Sequence, residues 1–212
     1  MPGGGEQRSA AELIPPRPTL EALREAAAGC RACELWERGT QTVFGEGSNT
    51  ADLVLVGEQP GDREDRTGKP FVGPAGRLLD DALEESGIDR SQVYVTNVVK
   101  HFNWVAKGKR RIHKKPAAEH IAACHPWLEA EVAQVRARVV CCLGATAAQA
   151  LLGRQFRVTR QRGEFFPGED GVLLTATVHP SSILRAPDEE ARAAEMRAFV
   201  EDLRAVAARL SG

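Results

Sequence analysis

Four short apolar runs punctuate the chain, at 52–57, 93–97, 137–144 and 173–178, and polar or glycine-bearing turns close them. Runs of this length, apolar on both alternating faces, predict buried parallel strands. Between them the apolar positions recur every three to four residues, which predicts helices over 19–28, 74–85, 117–135, 145–152 and 188–210. Pro74 in the first turn and Gly87 after the last frame the second of these, and the final helix carries its acids first. Two segments lack either period: a Gly/Pro-rich stretch at 58–70 and a basic one at 105–115. Strands alternating with helices predict an α/β fold, a three-layer α-β-α sandwich around a central four-stranded parallel sheet. Gly3-Gly4-Gly5 and Pro15-Pro16 make 1–17 read as a disordered leader, leaving 18–212 as a single domain without internal repeats.

Composition narrows the picture. A chain of 212 residues with 42% hydrophobic content can bury one compact core. No apolar run approaches the roughly 20 residues that span a bilayer, and no signal-peptide pattern opens the chain. The expectation is a cytoplasmic monomer with no membrane partner. A net charge of −1 argues against a generic nucleic-acid binder, but the charge is unevenly placed. Seven Lys/Arg and no acid lie between Lys100 and Lys115, and four arginines between Arg154 and Arg162. Basic loops on a neutral body suit a protein that grips phosphates on one face, although solvated loops would look the same.

Five cysteines in a cytosolic chain argue against structural disulfides. Cys30 and Cys33 form a C-x-x-C that precedes the first strand, the wrong place for a thioredoxin-like motif, so metal or iron–sulfur ligation is the better reading. The other ligands would come from His101, Cys124, Cys141 or Cys142. In open α/β sheets ligands gather beyond the carboxyl ends of the strands. Three segments meet there: Gly57-Glu58-Gln59-Pro60-Gly61-Asp62, Asn97-Val98-Val99-Lys100 and His179-Pro180-Ser181-Ser182.

In this order the three segments resemble the uracil-DNA glycosylase superfamily. Its iron–sulfur branch (family 4-like) is matched by the C-x-x-C, by Val43-Phe44-Gly45-Glu46-Gly47, and by Gly57-Glu58-Gln59-Pro60-Gly61 with Lys69-Pro70-Phe71-Val72-Gly73-Pro74-Ala75-Gly76. His179-Pro180-Ser181 matches its second motif. Lys109-Arg110-Arg111-Ile112-His113 is similar to the insertion of the UdgX type, whose members become covalently joined to uracil-containing DNA. The resemblance runs from about residue 28 to 210. It implies a 4Fe-4S cluster on Cys30, Cys33, His101 and Cys124, with His101 where the ordinary branch has a cysteine. Cys141 and Cys142, in an apolar strand, stay open as substitutes.

The resemblance also implies a chemistry. A glycosylase extrudes its nucleotide from the stack, most cheaply from single-stranded DNA, and reads it in a pocket. Phe71 would stack on the base unless it is a core residue, and the Asn97 amide would read uracil O4 and N3–H. His179 would donate to uracil O2 as the bond breaks. Gln59 and Asp62 would orient water or shield the cationic sugar, and Gln59 would also touch the base. His113 would attack the sugar C1′ in place of water, with Glu58 helping it lose its proton or holding the right tautomer, unless Glu58 only organises the loop. Lys109, Arg110, Arg111 and Ser181 would hold DNA phosphates, unless the arginines anchor the loop to acids of the body. Free uracil is the product. If His113 only binds DNA, the same residues make a turnover uracil-DNA glycosylase. A non-catalytic DNA-binding or redox-sensing module would have no need for Phe71, Asn97 and His179 together.

Overall fold

The computed structural model describes residues 9–211. Its elements in chain order are α1 (Leu20–Ala28), β1 (Leu53–Gly57), α2 (Asp62–Thr67), α3 (Pro74–Glu85), β2 (Val93–Asn97), β3 (Trp104–Lys107), β4 (Arg110–His113), α4 (Ala118–Val135), β5 (Val139–Leu143), α5 (Ala145–Leu151), α6 (Val158–Gln161), β6 (Phe165–Pro167), β7 (Leu173–Thr177), α7 (Pro180–Ile183) and α8 (Glu189–Ser211). The main sheet has five strands in the order β2-β1-β5-β7-β6. Four are parallel, as expected, and β6 adds an antiparallel edge along β7. The expected four-stranded parallel sheet is therefore a five-stranded mixed one. The extra strand is only three residues long and ends in Pro167, too short for a period-two pattern to show.

Alternation along the central strands divides the interior. Val54, Val56, Val140 and Cys142 pack on one face with Leu23, Trp127 and Leu128 from α1 and α4. Leu53, Leu55, Cys141 and Leu143 pack on the other with Leu79, Ile183, Phe199 and Leu203 from α3, α7 and α8. This is the three-layer sandwich. It also places Cys141 and Cys142: adjacent in β5, they point into opposite cores and behave as small buried hydrophobes. Among the described residues no helix is long and apolar enough to cross a membrane.

Three expectations change. The supposed leader is ordered from Ser9, whose hydroxyl caps a 3-10 turn at Ala10–Leu13 that buries Ala10 in the α1/α4 core; residues 1–8 lie outside the described residues. The Gly/Pro-rich stretch at 58–70 contains α2. The basic segment is a β-hairpin, with Trp104 opposite His113 and Lys107 opposite Arg110. Its two-residue turn has Gly108 at φ +60°, a conformation that favours glycine. The hairpin is half solvated and mostly polar, so no hydrophobic period announces it.

Candidate active site

Gly57 and Asn97 are register partners at the carboxyl ends of β1 and β2, and the chain diverges beyond them. A Cβ at position 57 would collide with Asn97 Oδ1 and come within 2.7 Å of the Phe71 ring, so glycine there lets the amide and the aromatic ring approach each other. Phe71 has φ +56°, strained backbone for a bulky residue, of the kind found where ligands are clamped. Its ring lies 6.2 Å from the His179 imidazole at an interplanar angle of 26°, a stacked arrangement. Phe71, Asn97 and His179 are thus brought together at the strand ends. Phe71 is half-buried and packs on the margin of the core formed with α3, α7 and α8.

His179 Nδ1 accepts the Ser181 backbone N–H at 3.1 Å and lies 2.8 Å from the Ser181 hydroxyl. The ring proton must then sit on Nε2, which leaves Nε2–H as a donor. Burial pushes His179 down to about 4 from an ordinary 6.5, with Glu58 opposing the shift and Arg185 and His113 adding to it. Ser181, expected on a DNA phosphate, also orients this imidazole. The depressed pKa has a stability consequence. Between pH 6.5 and 4 the unfolded chain binds the proton that folded His179 refuses, so stability falls with falling pH, by at most about 1.4 kcal/mol per unit. Urea titrations from pH 7 to 4 are expected to show a shallower acid loss in His179→Gln; parallel curves would refute the buried neutral imidazole.

His113 ends β4 with its Nε2 3.3 Å from Glu58 Oε1. Glu58 accepts a second, short hydrogen bond from the Thr146 hydroxyl in the first turn of α5. Burial would raise the Glu58 carboxyl, but hydrogen bonds from His113 and Thr146, with both His113 and His179 nearby, hold it below its usual range. An anionic carboxylate therefore faces the imidazole. The His113 side chain is 48% exposed, accessible at the rim of the site.

The hairpin is held against the body by residues expected to do other work. Gln59 Nε2 donates to the Asn103 and Lys114 carbonyls at 3.1 and 3.2 Å, and its Oε1 accepts from Asn103 N–H at 3.3 Å. Its amide clasps both ends of the hairpin and is not free to orient water or touch a base. Arg111, expected on a phosphate, is turned to the body: it bridges Asp62 and Asp65, reaching Asp65 at 2.6 Å, and its guanidinium lies over Phe102 and Trp104. Asp62, paired with Arg111 and Arg66, is an anchor and not a shield for a cationic sugar. The alternative in which an arginine ties the loop to body acids holds for Arg111. Lys109 and Arg110 stay exposed at the turn, where a phosphate can reach them. Arg111→Ala would leave Asp65, fully buried, short of its counter-charge; we expect a loss of about 3 kcal/mol in urea unfolding, and wild-type stability would show that the anchor is idle.

Cys30 lies two residues past α1, Cys33 just before a 3-10 turn, and Cys124 on α4. Burial pushes the Cys124 thiol up to about 12, and Cys30 and Cys33 add to the rise, so the three thiols share one site. Trp127 Nε1–H and Lys100 N–H donate to Cys30 and Cys124 sulfur, each at 3.3 Å. His101 is buried and pushed down to about 4, by burial above all. Its Nε2 lies 3.0 Å from the Thr42 hydroxyl, which itself donates to Ala27 O. That hydroxyl can then only accept from His101, leaving Nδ1 as the unprotonated ring nitrogen. Among the described residues no three of these four donors lie within 4.8 Å of one another. Thiolates with one imidazole are the donor types that iron–sulfur clusters take. The donor set fits a 4Fe-4S group. Cys124→Ala is expected to lose visible colour and iron together; a full iron complement in that variant would remove Cys124 from the set.

Glu34, Glu119 and His120 do gather within 4.8 Å. Their arrangement is a helix cap: His120 Nδ1 accepts Ala117 N–H, so Nε2 carries a proton and donates to Glu34, with no lone pair for a metal. Sequence reasoning missed Thr146, Asp65 and Asn103 as supports of the site. Only Thr146 had a signal, its place just beyond a strand's carboxyl end, where ligand sites gather.

Fold and site define an α/β sandwich with an aromatic face beside an amide and an imidazole donor at the strand ends. Residues 44–204 match the model of the Uracil DNA glycosylase superfamily. A Type-4 uracil-DNA glycosylase of Thermotoga maritima is 38% identical over 185 residues, 87% of this chain and 91% of that protein. Those of Sulfurisphaera tokodaii and Archaeoglobus fulgidus are 33% and 34% identical, each over 80% of this chain and over 78% and 85% of their own lengths. The chain belongs to the uracil-DNA glycosylase superfamily.

Proposed function

We propose that this protein excises uracil from DNA and captures the resulting sugar on His113. One observation carries the second half: the His113 imidazole, open to solvent, is held by an anionic Glu58 beside the Phe71–Asn97–His179 pocket. The flipped uracil stacks on Phe71, and the Asn97 amide accepts from N3–H and donates to O4, a pattern that cytosine reverses. His179 Nε2–H donates to O2. As the C1′–N1 bond breaks, its electron pair leaves with the uracil, and this donor stabilises the anion. His113 then supplies a nitrogen lone pair to C1′, forming an N–C1′ bond that replaces attack by water. Glu58 holds the tautomer with the proton on Nε2, and it accepts that proton as the new bond places positive charge on the ring. Lys109 and Arg110 meet the phosphates. A 4Fe-4S cluster on Cys30, Cys33, His101 and Cys124 would supply no chemistry to this step, only a tie between the segment after α1 and the strand-end segment at Lys100.

Single-stranded DNA avoids most of the cost of flipping and is the expected substrate. Purified protein mixed with a uracil-containing single-stranded oligonucleotide is expected to give a band that resists heat and SDS in a denaturing gel. A uracil-free oligonucleotide should give none. An alkali-labile abasic site without that band would mean a turnover glycosylase, and unchanged DNA would overturn the catalytic reading.

A further inference from the structure

Lys100 opens the basic segment of the sequence, yet it is fully buried, as is its partner Glu131 on α4. Its ammonium makes three hydrogen bonds: to the Asn97 carbonyl at 2.7 Å, to the Thr96 hydroxyl at 2.7 Å, and a short one to Glu131. Glu131 also accepts from Thr96 and Tyr94 hydroxyls at 2.9 and 2.8 Å and from Gly45 N–H at 2.8 Å. Every ammonium proton is used. At the other end of the same residue, Lys100 N–H donates to Cys124 sulfur and its carbonyl accepts from Val43 N–H.

Stability alone does not explain this pair. Two charges taken out of water each give up their hydration, and a well-packed apolar pair of similar volume commonly serves as well or better. Nor does the ammonium act on DNA through its field, since Glu131 cancels its charge in direct contact. What the ammonium does hold, and no apolar side chain could, is the Asn97 carbonyl at the point where β2 ends and chain direction changes. We infer that Lys100, braced by Glu131, is a positioning residue: it sets the orientation of Asn97 and so the reading of the base edge. The inference rests on the proposed uracil chemistry of Asn97. Because Lys100 also touches Cys124 through its backbone, the same residue joins the cysteine site to the base-reading amide.

The test uses the full, iron-loaded chain with Lys100→Met and Glu131→Gln combined. This variant leaves no lone buried charge, and the amide that replaces the Glu131 carboxylate keeps an acceptor for Gly45 and Tyr94. Iron content and unfolding midpoint should stay close to wild type. Cross-linking rate on the uracil oligonucleotide, and affinity for free uracil in equilibrium dialysis, should fall about tenfold to a hundredfold, the effect of a misplaced reading group. The same change made on Asn97→Ala should add almost nothing, because a residue acting through Asn97 has nothing left to position. A wild-type rate in the folded variant, or an equal further loss on Asn97→Ala, would overturn the inference. If the double variant fails to hold iron, Lys100→Leu with Glu131→Gln, likewise free of a lone buried charge, decides by the same non-additivity. A wild-type protein that leaves uracil DNA untouched would instead sink the functional reading, and the inference with it.

Discussion

Replacing His113 with Ala is expected to abolish the uracil-dependent, heat- and SDS-stable complex completely while leaving the fold intact. The side chain ends a solvent-facing strand, is 48% exposed, and contributes only the Glu58 contact and a tilted approach to Phe102. Removing it should therefore cost little stability, about 0.5 kcal/mol or less, as for other surface substitutions. The pocket residues Phe71, Asn97 and His179 remain, so bond cleavage continues and water takes the place of the imidazole at C1′. The variant should leave alkali-labile abasic DNA and free uracil. A complex that still resists heat and SDS would mean that another group is the nucleophile.

Glu58→Gln should slow cross-linking by about 10² to 10⁴, the usual contribution of a positioned acid–base group. Gln keeps the shape and can still accept from Thr146, so the site should stay assembled. It cannot take a proton from the His113 ring, and it removes the negative charge that favours the reactive tautomer. The carboxyl lies below its ordinary 4.5, so in the wild type this group remains anionic through neutral and mildly acidic pH. Single-turnover rates of both proteins at pH 7, with His113→Ala as the zero point, measure the effect. An unchanged rate in Glu58→Gln would reduce Glu58 to a loop-organising acid.

The two outcomes bear on different layers of the site. His113 sits on the hairpin and Glu58 on the body, and their 3.3 Å contact exists only because the hairpin is clasped by Gln59 and anchored by Arg111. Three residues expected to touch substrate hold the scaffold: Gln59, Asp62 and Arg111. In each case residue type and neighbourhood are legible in the sequence, but the direction of the side chain is not. A guanidinium meets a phosphate or a carboxylate with the same geometry, so Arg111 could be assigned only once Asp62 and Asp65 were in place.

The sequence by itself determined the α/β alternation, the strand ends where chemistry gathers, and the types of the pocket residues. Those depend on local rules: the run lengths and the 3.6 period along the chain, glycine in the turns that close strands, and a cysteine spacing that chelation requires. It could not show the hairpin, the edge strand β6 or the ordered segment at Ser9, because each is stabilised by packing against remote residues. Nor could it show that Lys100 is buried, since a lysine in a basic run looks solvated until the carboxylate of Glu131, 31 residues away, is folded beside it. Tertiary structure decided which polar groups pair internally and which face the substrate. That division follows from a cost no single residue carries: a polar group out of water needs a partner, and only the folded chain says which partner is within reach.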